Sequence, residues 1–198
     1  ELVAKFRQET IFALQELRNQ LGQHVYPVHR LDKPTSGVLI FGLDSEAARK
    51  LATAFQEGTI QKQYRAIVRG YVAEEGEIDH PLSWKPETRA DKARATHPPA
   101  KEARTRYTRI AQTEQPFAIG RYATSRYTYV ALHPQSGRKH QLRRHMKHIV
   151  HPIIGDTKYG DWRHNRFFEE RFGRRRLMLH AGSLVFAHPF METQLRIE

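Results

Sequence analysis

The stretch "HRLDKPTSG", His29–Gly37, sets an aspartate between an arginine and a lysine and follows it with a stiff Pro-to-Gly turn. Pro34 biases Lys33 toward extended backbone. Along an extended segment the side chains of Arg30 and Asp32 project to one side, where they can line a cleft. A carboxylate fixed in this way can act as a nucleophile or as a base. A structural use is equally open, in which Asp32 satisfies turn amides or pairs with an arginine.

A second stretch, "QSGRKHQLRRHMKHIVHPIIGDTKYG" (135–160), reads as a helix followed by a turn. Ser136 can cap a helix starting near Gly137. Leu142, Met146, Ile149 and Val150 then fall on one stripe, while Arg143, Arg144, Lys147, His148 and His151 fall mostly elsewhere. One face is apolar and the rest cationic. Pro152 ends the helix and Gly155 permits a turn. His140, His145, His148 and His151 lack an H-E-x-x-H or similar metal spacing, so no metal site is expected. Their expected partners are phosphate or backbone.

These residues must be positioned by a chain of 198 residues, long enough for a real core. Lysine and arginine total 33 against 21 acids, a formal charge of +12, and the basic residues cluster with aromatics. That surplus points to a polyanionic partner, most simply nucleic acid. With no cysteine, disulfides and thiolate metal sites are excluded, and a reducing, cytoplasmic setting is the default. No apolar run approaches the ~20 residues of a membrane span, so no membrane partner is expected. No obligate protein partner is evident either.

The pattern predicts a helix within 2–21 closed by Gly22 and a buried strand "VLIFGL" (38–43). A helix capped by Asp44 and stopped by Gly58 follows, then a strand "YRAIVRG" (64–70) with Tyr64, Ala66 and Val68 on one side. "EIDHPL", "RYTRIAQ" and "RYTYVALHP" read as strands, and "RLMLHAGSLVFAHP" (176–189) as one or two more. Residues 84–104 are charged and Pro-containing, and read as a mobile surface loop. The aromatics of "RFFEERF" receive no role. Strands dominate, with two or three helices among them, so the expected fold is α+β with a mostly antiparallel sheet. No linker divides the chain, so residues 1–198 are expected to form a single catalytic domain.

Four pieces in order resemble the RluA-type pseudouridine synthases: "HRLDKPTSG" at 29–37, "KQYRAIVRG" at 62–70, "GRKHQLRRH" with "PIIGDTKYG" at 137–160, and "RLMLHA" at 176–181. The resemblance runs from His24 to Pro189. It implies the pseudouridine synthase fold, a mixed, mostly antiparallel sheet with flanking helices and a central catalytic cleft, together with an isomerase activity and neither metal nor organic cofactor. Asp32 matches the catalytic aspartate of that family. Arg30 matches an arginine that enters the RNA stack, Tyr64 the aromatic that stacks on the uracil, and Leu142 the aliphatic residue against the base. Arg143 matches the arginine that pairs with the aspartate. His29, Arg138 and His140 lie in the same motifs and are expected on the substrate side. The implied substrate is tRNA or another structured RNA, with uridine 65 of tRNA the expected target.

Two departures from the family pattern stand out. An N-terminal strand with a Lys-Pro-x-Gly turn usually comes first, and it is expected to be missing ahead of Glu1. His151 stands where many members have glycine, so a different turn is expected there. The alternatives are a ribosomal RNA synthase of the same family, a non-catalytic RNA-binding module, and a His-dependent metallonuclease.

In the implied reaction the C1′–N1 bond of uridine breaks, the ring turns, and C1′ joins C5. Nothing is gained or lost overall. Extruding the base costs a few kcal/mol, and stacking on Tyr64 would return about 1–3 kcal/mol. Arg143 beside Asp32 would offset the expense of enclosing a carboxylate.

Overall fold

The computed structural model describes residues 12–84 and 98–198. They fall into two compact units. The smaller holds the residues before Asp32, Leu39–Ile60 and Phe186–Leu195. The larger holds Asp32–Val38, Gln61–Val185 and the last three residues.

In the smaller unit, helix α1 (Ala13–Leu21) ends where Gly22 takes a left-handed conformation. Strands β1 (Tyr26–Pro27) and β3 (Phe41–Gly42) pair antiparallel. Helix α2 (Ser45–Glu57) starts where the Asp44 carboxylate accepts the Ala47 amide at 2.7 Å, and Gly58 stops it. Ala47 and Leu51, one turn apart, bury one face of α2; Val25 and Ile60 are also buried. The predicted first helix is borne out from Ala13 onward; its earlier part lies outside the described residues. The predicted strand over 38–43 is corrected. Only Phe41–Gly42 pairs in it, the other apolar side chains are at most half-buried, and Leu43 is 58% exposed.

The larger unit is built on one sheet in the order β2-β8-β4-β7-β6-β5. Its strands are β2 (Ser36–Gly37), β4 (Gln61–Arg69), β5 (Glu75–Asp79), β6 (Arg104–Gln115), β7 (Ser125–Pro134) and β8 (Leu179–Ala187). Every neighbouring pair is antiparallel except β2 with β8. Helices α3 (Gln141–His148) and α4 (Trp162–Phe172) complete it, and a last short strand, β9 (Gln194–Ile197), ends the chain. This is the mixed, mostly antiparallel α+β fold that the sequence predicts.

The core lies between α3 and the sheet. Ala66 and Val68 of β4, Val130 and Leu132 of β7, Leu179 of β8 and Leu142 and Met146 of α3 form one apolar cluster, with Tyr64 packed at its side. Alternation along β4 sends Tyr64, Ala66 and Val68 to that face, as the period-two pattern requires.

Three expectations change here. The loop predicted over 84–104 is already paired at its end: Lys101 bridges Leu82, Ala103 is buried and β6 begins at Arg104. Residues 85–97 of that span lie outside the described residues. Ser136 does not cap a helix at Gly137. Its hydroxyl donates to Gln141 Oε1 and accepts from the Arg104 amide, so residues 136–140 form a turn and α3 starts at Gln141. Helix α4 was not predicted. Asp161 caps it, Gly173 ends it, and its Phe167, Phe168 and Phe172 rings pack on one another.

Candidate active site

Asp32 begins the segment that leads into β2. The Thr35 amide donates to the Asp32 carbonyl at 2.7 Å, which closes the Pro34 turn. Gly37 then pairs in parallel with Ala181 of β8. At Gly37 φ is +114°, and a Cβ there would sit 2.2 Å from the Ala181 carbonyl oxygen. Only glycine lets this segment lie so close to the sheet. The aspartate thus stands four residues before β2, which is pinned to the core.

Its partner is on α3. Arg143 Nη1 lies 3.5 Å from Asp32 Oδ2; the arginine side chain is 5% exposed and the aspartate 22%. The stronger pair of Arg143 is one the sequence reading missed. Asp156 accepts Arg143 Nε at 2.7 Å and Nη2 at 2.8 Å, a bidentate fork, with 1% of its side chain exposed. The amides of Lys158 and Tyr159 also donate to Asp156 Oδ1, at 2.9 and 3.0 Å. Burial pushes the Asp156 carboxyl up, but Arg143 and the two amides outweigh it and hold the group below the usual carboxylate range. For Arg143 burial works against the charge and Asp156, with Asp32 adding to it, more than restores it. The guanidinium is therefore a fixed cation, gripped from behind by Asp156 and presented to Asp32. The available signal was the "GDTKYG" turn itself: an acid between two glycines, followed by the backbone amides of a tight turn, is a nest for a buried carboxylate.

Gly155 makes that nest. Its φ is +78°, and a Cβ would fall 2.0 Å from the Arg176 carbonyl oxygen. The Asn165 side chain of α4 accepts the Gly155 amide and donates to the Asp156 carbonyl. The helix missing from the sequence reading thus braces the turn that holds Asp156.

Tyr64 lies on β4 opposite Leu132 of β7. Burial first, and then the charge of Asp32, raise its hydroxyl to about 12. The phenol is neutral at ordinary pH and close enough to feel the carboxylate. Leu142 is 6% exposed and belongs to the core cluster, so it is a wall of the core first. His140 Nε2 is 4.0 Å from Asp32 Oδ1, and its Nδ1 is 3.0 Å from the Tyr159 hydroxyl. Arg138 donates from Nε to the Glu102 carbonyl. With Lys101, Lys139, Arg144, Lys158 and Tyr159 it lines an open cavity of about 340 Å³ that His140 also borders.

The structure therefore brings Asp32, Arg143, Tyr64 and His140 together. His29 and Arg30 belong to the smaller unit. The His29 ring stacks on Phe55 at 4.3 Å and accepts the Ile40 amide at 2.9 Å, while Arg30 is exposed. Of the two partners expected for His145, phosphate or backbone, the structure shows backbone: it is fully buried, bonded to Thr105 and the His80 carbonyl. The turn at His151 has its positive φ at Val150, and the His151 ring bonds the Arg69 carbonyl. Among the described residues no group of three or more His, Asp or Glu could hold a metal ion. No helix among them is long and apolar enough to cross a membrane.

An aspartate clamped by a buried arginine beside a strand-borne tyrosine, on a mixed sheet, defines a carboxylate-centred site. Residues 4–148 match the model of the RNA pseudouridylate synthase family. The chain is 56% identical over 181 residues to a tRNA pseudouridine synthase C from Haemophilus ducreyi, covering 91% of this chain and 74% of that protein. It is 52% identical to one from Pasteurella multocida, covering 96% and 79%. Among solved structures it is similar to human RNA pseudouridylate synthase domain containing 1. There the TM-score is 0.71 at 26% identity, over 93% of this chain and 72% of that one. This chain belongs to the RNA pseudouridylate synthase family, and its activity is that of an isomerase.

Proposed function

We propose that the chain converts one uridine of folded tRNA, uridine 65, into pseudouridine, and that Asp32 is the group that reacts. The observation that carries the reading is the Asp32–Arg143–Asp156 array with Tyr64 beside it. The two relatives named above, both called tRNA pseudouridine synthase C, support tRNA as the substrate.

Each residue has a task in this chemistry. The target base leaves its helix and enters the site, with Tyr64 stacked on the uracil and Leu142 closing the apolar wall. The exposed Arg30 takes the vacated place in the RNA. Asp32, held by Arg143, reacts at the sugar or the base while the C1′–N1 bond breaks. C5 then bonds to C1′, and the proton lost from C5 is balanced by one gained at N1. The cations around the 340 Å³ cavity, with Arg138 among them, hold phosphates next to the target. Each phosphate contact makes binding weaken with salt.

The test is to incubate the protein with unmodified tRNA and with ribosomal RNA and map pseudouridine in both. A single product at uridine 65 of tRNA, lost when that base is changed to cytidine, is the expected result. Product only in ribosomal RNA would overturn the substrate, and a product at another tRNA position would overturn the target.

A further inference from the structure

His140 holds a backbone conformation that histidine rarely adopts. Its φ is +54° and ψ is 28°, in the left-handed region, at the residue before α3. Glycine occupies that region without strain, and histidine does not. The strain does not serve the helix, because the His140 side chain makes no cap bond. Gln141 and Ser136 organise that turn instead.

The strain does serve to aim the imidazole. Nδ1 meets the Tyr159 hydroxyl at 3.0 Å, and Nε2 faces Asp32 Oδ1 at 4.0 Å. Arg143 stands at the other carboxylate oxygen, Oδ2. Both neighbours of Asp32 trace back to one anchor: Asp156 grips Arg143 with its carboxylate and holds Tyr159 through the Tyr159 amide. A bare Nε2 lone pair would repel the carboxylate, so the arrangement calls for a proton on Nε2, with Nδ1 paired to the Tyr159 hydroxyl. A donor thus points at the oxygen that Arg143 leaves uncovered.

We infer that His140 is a positioning residue: it holds Oδ1 of Asp32 while Arg143 holds Oδ2, so that the carboxylate presents one orientation to the flipped uridine. The inference rests on the reading of Asp32 as the reacting group. At 4.0 Å the contact is longer than a hydrogen bond in the free protein. It closes by a small rotation of the carboxylate when substrate fills the site, as catalytic contacts commonly do. Without the imidazole the carboxylate is held at Oδ2 alone and Oδ1 can swing about that contact, and misplacement of this kind lowers turnover by roughly 10- to 100-fold.

The experiment compares His140→Gly, Tyr159→Phe and Asp32→Asn in kcat and KM on unmodified tRNA, with thermal unfolding of each. His140→Gly is expected to unfold no earlier than the parent, because glycine relieves the backbone. Its kcat should fall at least about tenfold with KM nearly unchanged, and added imidazole should restore part of the loss. Tyr159→Phe, which removes the hydroxyl from Nδ1, should show a smaller fall in kcat alone. Three results would overturn the inference: kcat of His140→Gly within twofold of the parent, a defect in KM only, or no response to imidazole. Turnover by Asp32→Asn would instead overturn the reading of Asp32 itself, so the two failures are distinguishable.

Discussion

Asp156→Asn is the substitution through which the architecture of the site can be weighed. The change keeps size and shape. Asn retains Oδ1, the acceptor for Arg143 Nη2 and for the Lys158 and Tyr159 amides, but replaces Oδ2 with an NH₂ that faces Arg143 Nε–H. Two donors then oppose each other at a former separation of 2.7 Å. Arg143, 5% exposed, is left with Asp32 at 3.5 Å as its one carboxylate partner among the described residues. Breaking one side of a buried pair costs about 3–5 kcal/mol. In a domain of this size each kcal/mol lowers Tm by about 2–4 °C, so a fall of roughly 6–20 °C is expected. Freed from Asp156, the guanidinium moves onto Asp32, and a shift of about 1 Å at the reacting group costs on the order of 100-fold in kcat. Urea unfolding gives the first quantity, and single-turnover conversion of tRNA well below Tm gives the second. A folded Asp156→Asn protein with parental kcat would refute the reasoning, because Arg143 would then need no support.

Other expectations follow from the same geometry. Gly155→Ala places a methyl 2.0 Å from the Arg176 carbonyl at φ +78°, so the turn must move; stability should drop by more than about 1 kcal/mol, read by denaturant unfolding. Tyr64 is raised to about 12 in the folded chain, mainly by burial and further by Asp32, against an ordinary value of 10.0. The unfolded chain therefore loses this proton first, and folding stability should fall as pH rises from 10 toward 12. Tyr64→Phe should show a shallower alkaline fall in urea-unfolding free energy, and an equal slope would contradict the buried phenol.

Much of this site was legible because its parts are short and local. The Pro34–Gly37 turn, the alternation of Tyr64, Ala66 and Val68, and the apolar stripe at Leu142, Met146 and Ile149 each follow from backbone preference or periodicity, and the structure reproduces them; Val150, expected on the same stripe, lies past the helix end and is 65% exposed. The order of four motifs carried the family. What escaped depends on tertiary partners. The anchoring of Arg143 on Asp156 spans 13 positions and becomes visible only when the Gly155 turn packs against Arg176 and Asn165. Ser136 looked like a cap because the pairing of Gln141 with the first residues of β6 is non-local. Helix α4 was missed because its aromatic residues crowd together and mask a 3.6-residue stripe; Asp161 and Gly173 at its ends were the readable clues. The strand expected at 38–43 failed because apolar composition signals burial, not pairing.

The central claim is that the Asp32 carboxylate, clamped by Arg143, reacts with the flipped nucleoside. Its most direct test is pseudouridine formation by Asp32→Asn on unmodified tRNA, with tRNA binding measured on the same preparation. The account predicts no product and near-parental binding. Turnover at the parental rate in the Asn variant would contradict it.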